Sequence, residues 1–197
     1  EAFQLSDVER RRSIAMPEKW PVTRGTEWLE FCGTQRADGV AFSLSRHVRL
    51  GGRMMTSRST IDNVGERPLR LTWFAHPFFA LSDGRISCEL PLGYTIPDNP
   101  AYAIDARQRL TLKAPVAVGK SGPFVQLSFP RSAPLRVVVS HPRLEFIKME
   151  TAFVPERCPV WGNANTWSIE PYFMPSIAPG ESRAWAVSYE FGPIKAG

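Results

Sequence analysis

The chain is poor in histidine, cysteine, lysine and helical periodicity, and each shortage removes a class of function. Three histidines are present, with no HxH or HExxH spacing and no Cys-x-x-Cys pair, so the usual local metal-ligand patterns are missing. Metal binding is set aside. The three cysteines, Cys32, Cys88 and Cys158, are odd in number and far apart; a complete disulfide framework is impossible, and a single bridge stays open. No apolar run approaches the length of a membrane span, and no charged, apolar and small-residue succession marks a signal peptide. A cytoplasmic setting without membrane association is therefore expected. The opening "EAFQL" has no initiator methionine, which fits a processed form or an excised piece. There is no GxSxG elbow for a nucleophilic serine; "LGGRMM" leads into a strand, and "VGKSGP" has neither the spacing nor the helix of a phosphate loop. The one tight basic run, "ERRRS", has no aromatic residues interleaved for base stacking, so nucleic acid is not an expected partner.

What the chain has in abundance is proline and glycine, 18 and 14 among 197 residues, and they cut every stretch that could hold a long helix. Short alternating or β-branched runs take the place of helices: "AFSLSRHVRL", "RLTLKAPVAV", "FVQLSF", "LRVVVS", "LEFIKM" and "RAWAVSYEF". Between them lie the turn signals "LGG", "DNVGERP", "SDG", "IPDNP", "GKSGP" and "APGES". This pattern predicts an all-β, antiparallel sandwich or barrel. With 43% hydrophobic residues and no linker or repeat, residues 1–197 read as one β-sandwich domain. Residues 1–22 are expected to be irregular or to hold a short helix around "LSDVERRRS", with Ser6 as its cap. Exposed edge strands leave a homodimer open. The net charge of +5 is carried mainly by scattered arginines and implies solubility with a mild attraction to anions.

Strand phase singles out two residues. In "RLTWFAHP", Leu69, Leu71 and Trp73 share one face, and Arg70, Thr72, Phe74 and His76 the other. In "NTWSIEPYF", Trp167 and Ile169 point one way, while Thr166, Ser168 and Glu170 point the other. His76 and Glu170 each end a strand, each precede a proline and each lie among aromatic residues. A histidine and a carboxylate can share the work of proton donor and proton acceptor near neutral pH, and aromatic faces suit the C–H patches of a pyranose ring. A structural role beside the prolines is the alternative.

These residues carry a resemblance. "STIDNVGERPLRLTWFAHPFFAL" resembles the part of the aldose 1-epimerase (galactose mutarotase-like) family where an N-x-G-x-x-P turn and a strand lead to a His-Pro-aromatic signature. "VWGNANTWSIEPYFMPSIAPGESRAWAVSYEF" is similar to that family's C-terminal part, with its "EP", "PGES" turn and last strand. The resemblance implies an antiparallel β-supersandwich and the interconversion of sugar anomers by ring opening and closure. It places His76 as the general acid at the ring oxygen and Glu170 as the general base at the anomeric hydroxyl, the two facing one cleft. It implies no cofactor, and a monosaccharide or sugar derivative as partner. The same fold also serves noncatalytic carbohydrate-binding or structural members and sugar-phosphate epimerases, which remain alternatives.

Enzymes of that family are usually longer and carry a second histidine and an arginine in their N-terminal half. Here the region before "EKWPV" is short and has no histidine, so the resemblance implies truncation or shortening on that side. His47, on the polar face of an alternating strand, and His141, before Pro142, are the remaining histidines; solvation and a turn are their simpler explanations. Arg53 and Arg58 are candidate sugar or phosphate contacts, because guanidinium forks form paired hydrogen bonds, with surface salt bridges as the alternative. Asp98 in "IPDNPAY" is a candidate for a sugar hydroxyl or a solvated turn residue. Trp161 and Asn163 are candidates to line the pocket, with sandwich packing equally open for the tryptophan.

Overall fold

Alternation turns directly into strands. The computed structural model describes residues 20–37, 39–81, 85–117 and 122–195, and they are all-β. The first strands are β1 (Val22–Arg24), β2 (Trp28–Ala37), β3 (Val40–Gly51), β4 (Met54–Asn63), β5 (Leu69–Arg70) and β6 (Trp73–Phe74). The middle holds β7 (Phe79–Ala80), β8 (Ser87–Glu89), β9 (Tyr102–Ile104), β10 (Arg109–Leu112), β11 (Phe124–Gln126) and β12 (Arg136–Val139). The last are β13 (Ile147–Thr151), β14 (Pro159–Gly162), β15 (Thr166–Ile169), β16 (Tyr172–Phe173), β17 (Ser176–Ile177) and β18 (Ser182–Phe191).

Ten strands form one antiparallel sheet in the order β1-β2-β3-β4-β18-β13-β12-β8-β10-β9. Its inner face presents Leu44, Ile61, Met149, Trp185 and Val187, all buried, while His47, Arg49 and Arg58 on the alternate positions stay exposed. A second layer holds the sheet β11-β14-β15-β7 and the pairs β16-β6 and β17-β5.

The short ladders of this layer share one register. Ala80 lies opposite Thr166 and Phe79 opposite Trp167; then Phe74 faces Tyr172, Trp73 faces Phe173, Arg70 faces Ser176 and Leu69 faces Ile177. Each step along one strand matches one step back along the other, so residues 69–80 and 166–177 form one antiparallel ribbon. Pro77 and Pro171 interrupt it because proline has no N–H for the ladder. Odd-numbered side chains of the ribbon, Leu69, Leu71, Trp73, Phe79, Trp167, Ile169 and Ile177, are buried. They face the ten-stranded sheet: the Trp73 and Trp185 rings are 5.5 Å apart, and those of Phe173 and Trp185 5.2 Å. Full burial of one such aliphatic or aromatic side chain contributes roughly 1.5–3 kcal/mol. The even-numbered side chains emerge on the other face of the second layer.

Asn63 ties two turns together. Its side-chain amide donates to Arg67 O at 2.8 Å and Ile177 O at 2.9 Å, and its Oδ1 accepts from Gly65 N at 3.0 Å. Its carbonyl accepts from Gly180 N at 2.9 Å, and Gly180 adopts a φ of 76° that favours glycine. The "NVGERP" and "PGES" turns are thereby one knot that fixes the start of the ribbon against β18.

Most expected strands form. "RLTLKAPVAV" is a strand only to Leu112, ending before Pro115. The ten-residue β2 was not among the expected strands, because Leu29 and Cys32 are exposed and its alternation is weak. All three cysteines are free thiols, Cys88 and Cys158 buried and Cys32 exposed, so the bridge left open by sequence is not formed. The helix expected around Ser6 lies outside the described residues. Among the described residues no helix is long and apolar enough to cross a membrane.

Candidate active site

Extending the register of the ribbon through its proline interruption sets His76 directly opposite Glu170. Facing positions on neighbouring antiparallel strands bring side chains together, and His76 Nε2 lies 3.2 Å from Glu170 Oε1. The glutamate backbone is held on its other side, where Glu170 N donates to Pro159 O at 2.9 Å. The Glu170 side chain is 9% exposed and that of His76 31%, so the imidazole is the part of the pair that a ligand meets first. The resemblance has the two facing one cleft; the structure brings them into direct contact, because they are cross-strand partners.

Aromatic residues surround the imidazole. The Phe78 ring is 4.5 Å from that of His76, Phe74 5.8 Å and Trp161 6.1 Å. Phe78 is 66% exposed and forms a rim, edge-on to Trp161 at 6.5 Å. One row along the ribbon, Phe74 stacks on Tyr172 at 4.5 Å with 11° between planes, and the Arg157 guanidinium lies 4.6 Å over the Tyr172 ring. These contacts follow from register: Trp161 is opposite Ser168, and Tyr172 N donates to Arg157 O at 2.9 Å.

Burial raises the Glu170 pKa above the usual carboxylate value. The His76 charge opposes this most strongly, followed by Ser168 and Arg157. The Ser168 hydroxyl is buried and favours the charged carboxylate by proximity, short of full hydrogen-bond geometry. His76 Nδ1 is buried without a hydrogen-bond partner, so the geometry directs its chemistry through Nε2. A partly open N–H donor beside a buried carboxylate can give a proton to one oxygen and take one from its neighbour.

The other sequence candidates scatter. Trp161 lies beside the pair, its ring 6.1 Å from that of His76. Asn163 instead closes the β14–β15 turn, its Oδ1 accepting from Asn165 N at 2.8 Å and Thr166 N at 2.9 Å. Arg58 is exposed opposite His47, and the alternation phase of β4 sends its side chain to the side of the large sheet away from the core; Arg53 is exposed in the β3–β4 turn at the end of that sheet. Asp98 is fully exposed, 3.8 Å from Lys113 Nζ, and contacts no site residue. His47 stacks on Trp28 at 5.8 Å, and His141 Nδ1 accepts from Arg143 N and Leu144 N in a turn. Sequence reasoning missed Arg157 and Tyr172; Tyr172 lies two residues after Glu170, whereas Arg157 has no local signal and is brought beside it only by the pairing of Tyr172 N with Arg157 O.

A hollow of about 570 Å³ adjoins this face, lined by Gln126, Leu127, Ser128, Phe129, Arg131, Glu156 and Arg157. The pair itself does not line it. Among the described residues there is no cluster of three or more His, Cys, Asp or Glu side chains that could hold a metal ion.

Comparison with solved structures decides the architecture. A galactose mutarotase related enzyme from Lactobacillus acidophilus superposes with a TM-score of 0.64 at 10% identity, covering 91% of this chain and 74% of that one. The fold is that of the galactose mutarotase-like proteins. A galactose mutarotase-like protein from Lactobacillus casei ATCC 334 gives 0.60 at 14% identity over 87% of this chain and 72% of that one. The galactose 1-epimerase of Lactobacillus acidophilus NCFM gives 0.61 at 10% identity over 90% and 66%. The chain thus spans about two thirds to three quarters of the length of these three structures. No protein-family model matches the chain, and no curated protein matches its sequence. At such identities the mutarotase-like fold fixes the scaffold, and the chemistry rests on the residues themselves.

Proposed function

We propose that the protein interconverts the α and β anomers of an aldose by acid–base ring opening and closure. The observation that carries this is the direct His76–Glu170 contact on an aromatic-lined face. The ring oxygen and the anomeric hydroxyl are bound to the same carbon, so an acid and a base that touch each other reach both at once. His76 Nε2 protonates the ring oxygen while Glu170 removes the proton from the anomeric hydroxyl. The C1–O5 bond breaks, the anomeric carbon becomes an aldehyde, and rotation about C1–C2 before the reverse steps gives the other anomer. The scheme needs no cofactor, since each proton taken is returned on closure. The names of the fold neighbours, galactose mutarotase and galactose 1-epimerase, support a sugar substrate, and the rim formed by Phe78 and Trp161 suits its apolar face. Carriage of all these residues by a single β-sandwich domain is part of the same proposal.

Exchange spectroscopy by NMR on a panel of reducing sugars tests it. Accelerated anomer exchange that falls roughly 10²-fold or more in both His76→Asn and Glu170→Gln supports the assignment. Binding without exchange in the unsubstituted protein identifies instead a noncatalytic carbohydrate-binding member of the fold.

A further inference from the structure

We infer that the aromatic row ending in Trp161 and Phe124 is a platform for a second sugar unit, so that the His76–Glu170 pair acts on the reducing end of an oligosaccharide. This rests on the assignment of His76 and Glu170 as the anomeric acid–base pair and deepens it. Three observations on the structure lead to it.

The first is register. Trp161 lies opposite Ser168 on one side and Phe124 on the other, and the ribbon register that faces Phe79 with Trp167 sets Phe78 opposite Ser168. Phe78, Ser168, Trp161 and Phe124 thus form one row across four adjoining segments, on the face that carries His76 and Glu170. Ser168 is small and fully buried, so the rings of the row are what a ligand meets. The next row along the same segments is His76, Glu170, Pro159 and Gln126. Phe124 stands two strands across and two residues along from Glu170, about 12 Å away between backbone positions at ordinary strand spacing and rise. A single pyranose held at the pair falls short of it, and a second ring linked to the first reaches it.

The second is exposure. Phe78, 66% exposed, and Phe124, 59% exposed, are the most open aromatic side chains among the described residues, and both belong to this row. Exposed apolar side chains scattered singly are ordinary, whereas rings gathered in one row beside an acid–base pair mark a contact surface. Gln126, two residues from Phe124 and on the same face of β11, adds an amide that can meet sugar hydroxyls.

The third is the contrast with the row on the other side of the pair. There Phe74 stacks on Tyr172 at 4.5 Å, and the Arg157 guanidinium lies 4.6 Å from the Tyr172 ring centre. Those two rings are only partly exposed and already cover one another. The row of Trp161 and Phe124 is therefore the one with aromatic surface left for the C–H patches of a further ring.

The experiment compares glucose with cellobiose and maltose, its β- and α-linked dimers, in the unsubstituted protein, Phe124→Ala and Phe124→Trp. Calorimetry reads dissociation constants, and NMR reads anomer exchange at the reducing end. The expected result is that at least one dimer binds roughly 10-fold more tightly than glucose, the scale of an added aromatic contact. Phe124→Ala should remove most of that advantage while leaving binding and exchange of glucose unchanged, and Phe124→Trp should keep it. Equal affinity for glucose and both dimers, or an advantage that survives Phe124→Ala, overturns the platform. So does an equal loss for glucose and the dimers in Phe124→Ala, which makes the ring a general support. Because binding is read separately from exchange, exchange of glucose without a gain from the second unit removes the platform and leaves the proposed activity standing. Binding of a dimer that depends on Phe124 without exchange does the reverse.

Discussion

Substituting both members of the His76–Glu170 pair, singly and together, probes whether they work as one unit. Each single change, His76→Asn or Glu170→Gln, removes an acid–base group and should slow anomer exchange roughly 10²-fold, equivalent to about 2.7 kcal/mol of barrier. Independent groups would multiply to about 10⁴ in the double variant. Contact at 3.2 Å argues otherwise. Opposite unit charges at that separation attract by about 1 kcal/mol in water and about 5 kcal/mol at the effective dielectric of a half-buried site. With Glu170 nearly buried and His76 one third open, the coupling falls between these limits and is comparable with the single losses. The double variant should therefore lose roughly 10²- to 10³-fold, not 10⁴. The pH profile supplies a second readout. Ionised Glu170 is the base, so the rate falls on the acid side as it is protonated. Because the imidazolium favours the carboxylate's charged form, its removal should move that acid limb to higher pH in His76→Asn. NMR exchange rates across about pH 4 to 9 measure both. Multiplicative losses together with an unmoved acid limb would refute the idea of a coupled pair.

Glu170→Gln should also raise thermal stability at neutral pH while it removes activity. The folded-state pKa of Glu170 lies above its unfolded value, so its favourable contribution is complete below the unfolded pKa and is lost as pH rises through the folded one. The gain in Tm over the unsubstituted protein should accordingly shrink as pH falls towards 4, and calorimetry that finds the gain unchanged or growing there contradicts the linkage. Asn63→Ala strands buried partners in the knot between the two turns and should cost about 2–4 kcal/mol in urea unfolding, each lost bond leaving a desolvated group; a loss under 1 kcal/mol would show that the knot is slack. Trp161→Ala removes a ring from the rim and should raise KM for sugars several-fold with a smaller effect on kcat; a kcat loss with KM unchanged would make the residue a support for His76 and not a platform.

The face on which His76 and Glu170 leave their strands was legible because period-2 alternation assigns the buried side as soon as Leu69, Leu71 and Trp73 are seen in phase. Their opposition across one ribbon was not legible, since register between segments about 90 residues apart depends on turns and packing that local pattern does not encode. The direct contact between the imidazole and the carboxylate is a consequence of that register. Arg53 and Arg58 do not join the pair for the same reason in reverse: β4 belongs to the other layer, Arg58 points outward from it, and Arg53 lies in the turn before it. Arg157, two residues before a strand and flanked by Glu156 and Cys158, shows no periodic or motif signal at all. Its position follows only from the ladder that joins Tyr172 N to Arg157 O.

The prolines after the two site residues explain why this place in the ribbon, and no other, holds the pair. In the shared register Pro77 falls opposite Ile169 and Pro171 opposite Ala75, one residue to either side of the His76–Glu170 position. Each removes a ladder N–H and fixes its own φ, so pairing stops at Phe74 and Tyr172 on one side and resumes at Phe79 and Trp167 on the other. The ladders on both sides hold the two chains in line across the break. Within it, the imidazole and carboxylate keep the facing geometry of a strand pair without a continuous row of backbone bonds beneath them, while Glu170 remains anchored through its own N–H to Pro159 O. A partly exposed imidazole beside a buried, anchored carboxylate would suit the ring opening proposed above. The repeated residue–proline ending in two distant segments, "HP" and "EP", thus marks the two halves of a single interrupted strand pair.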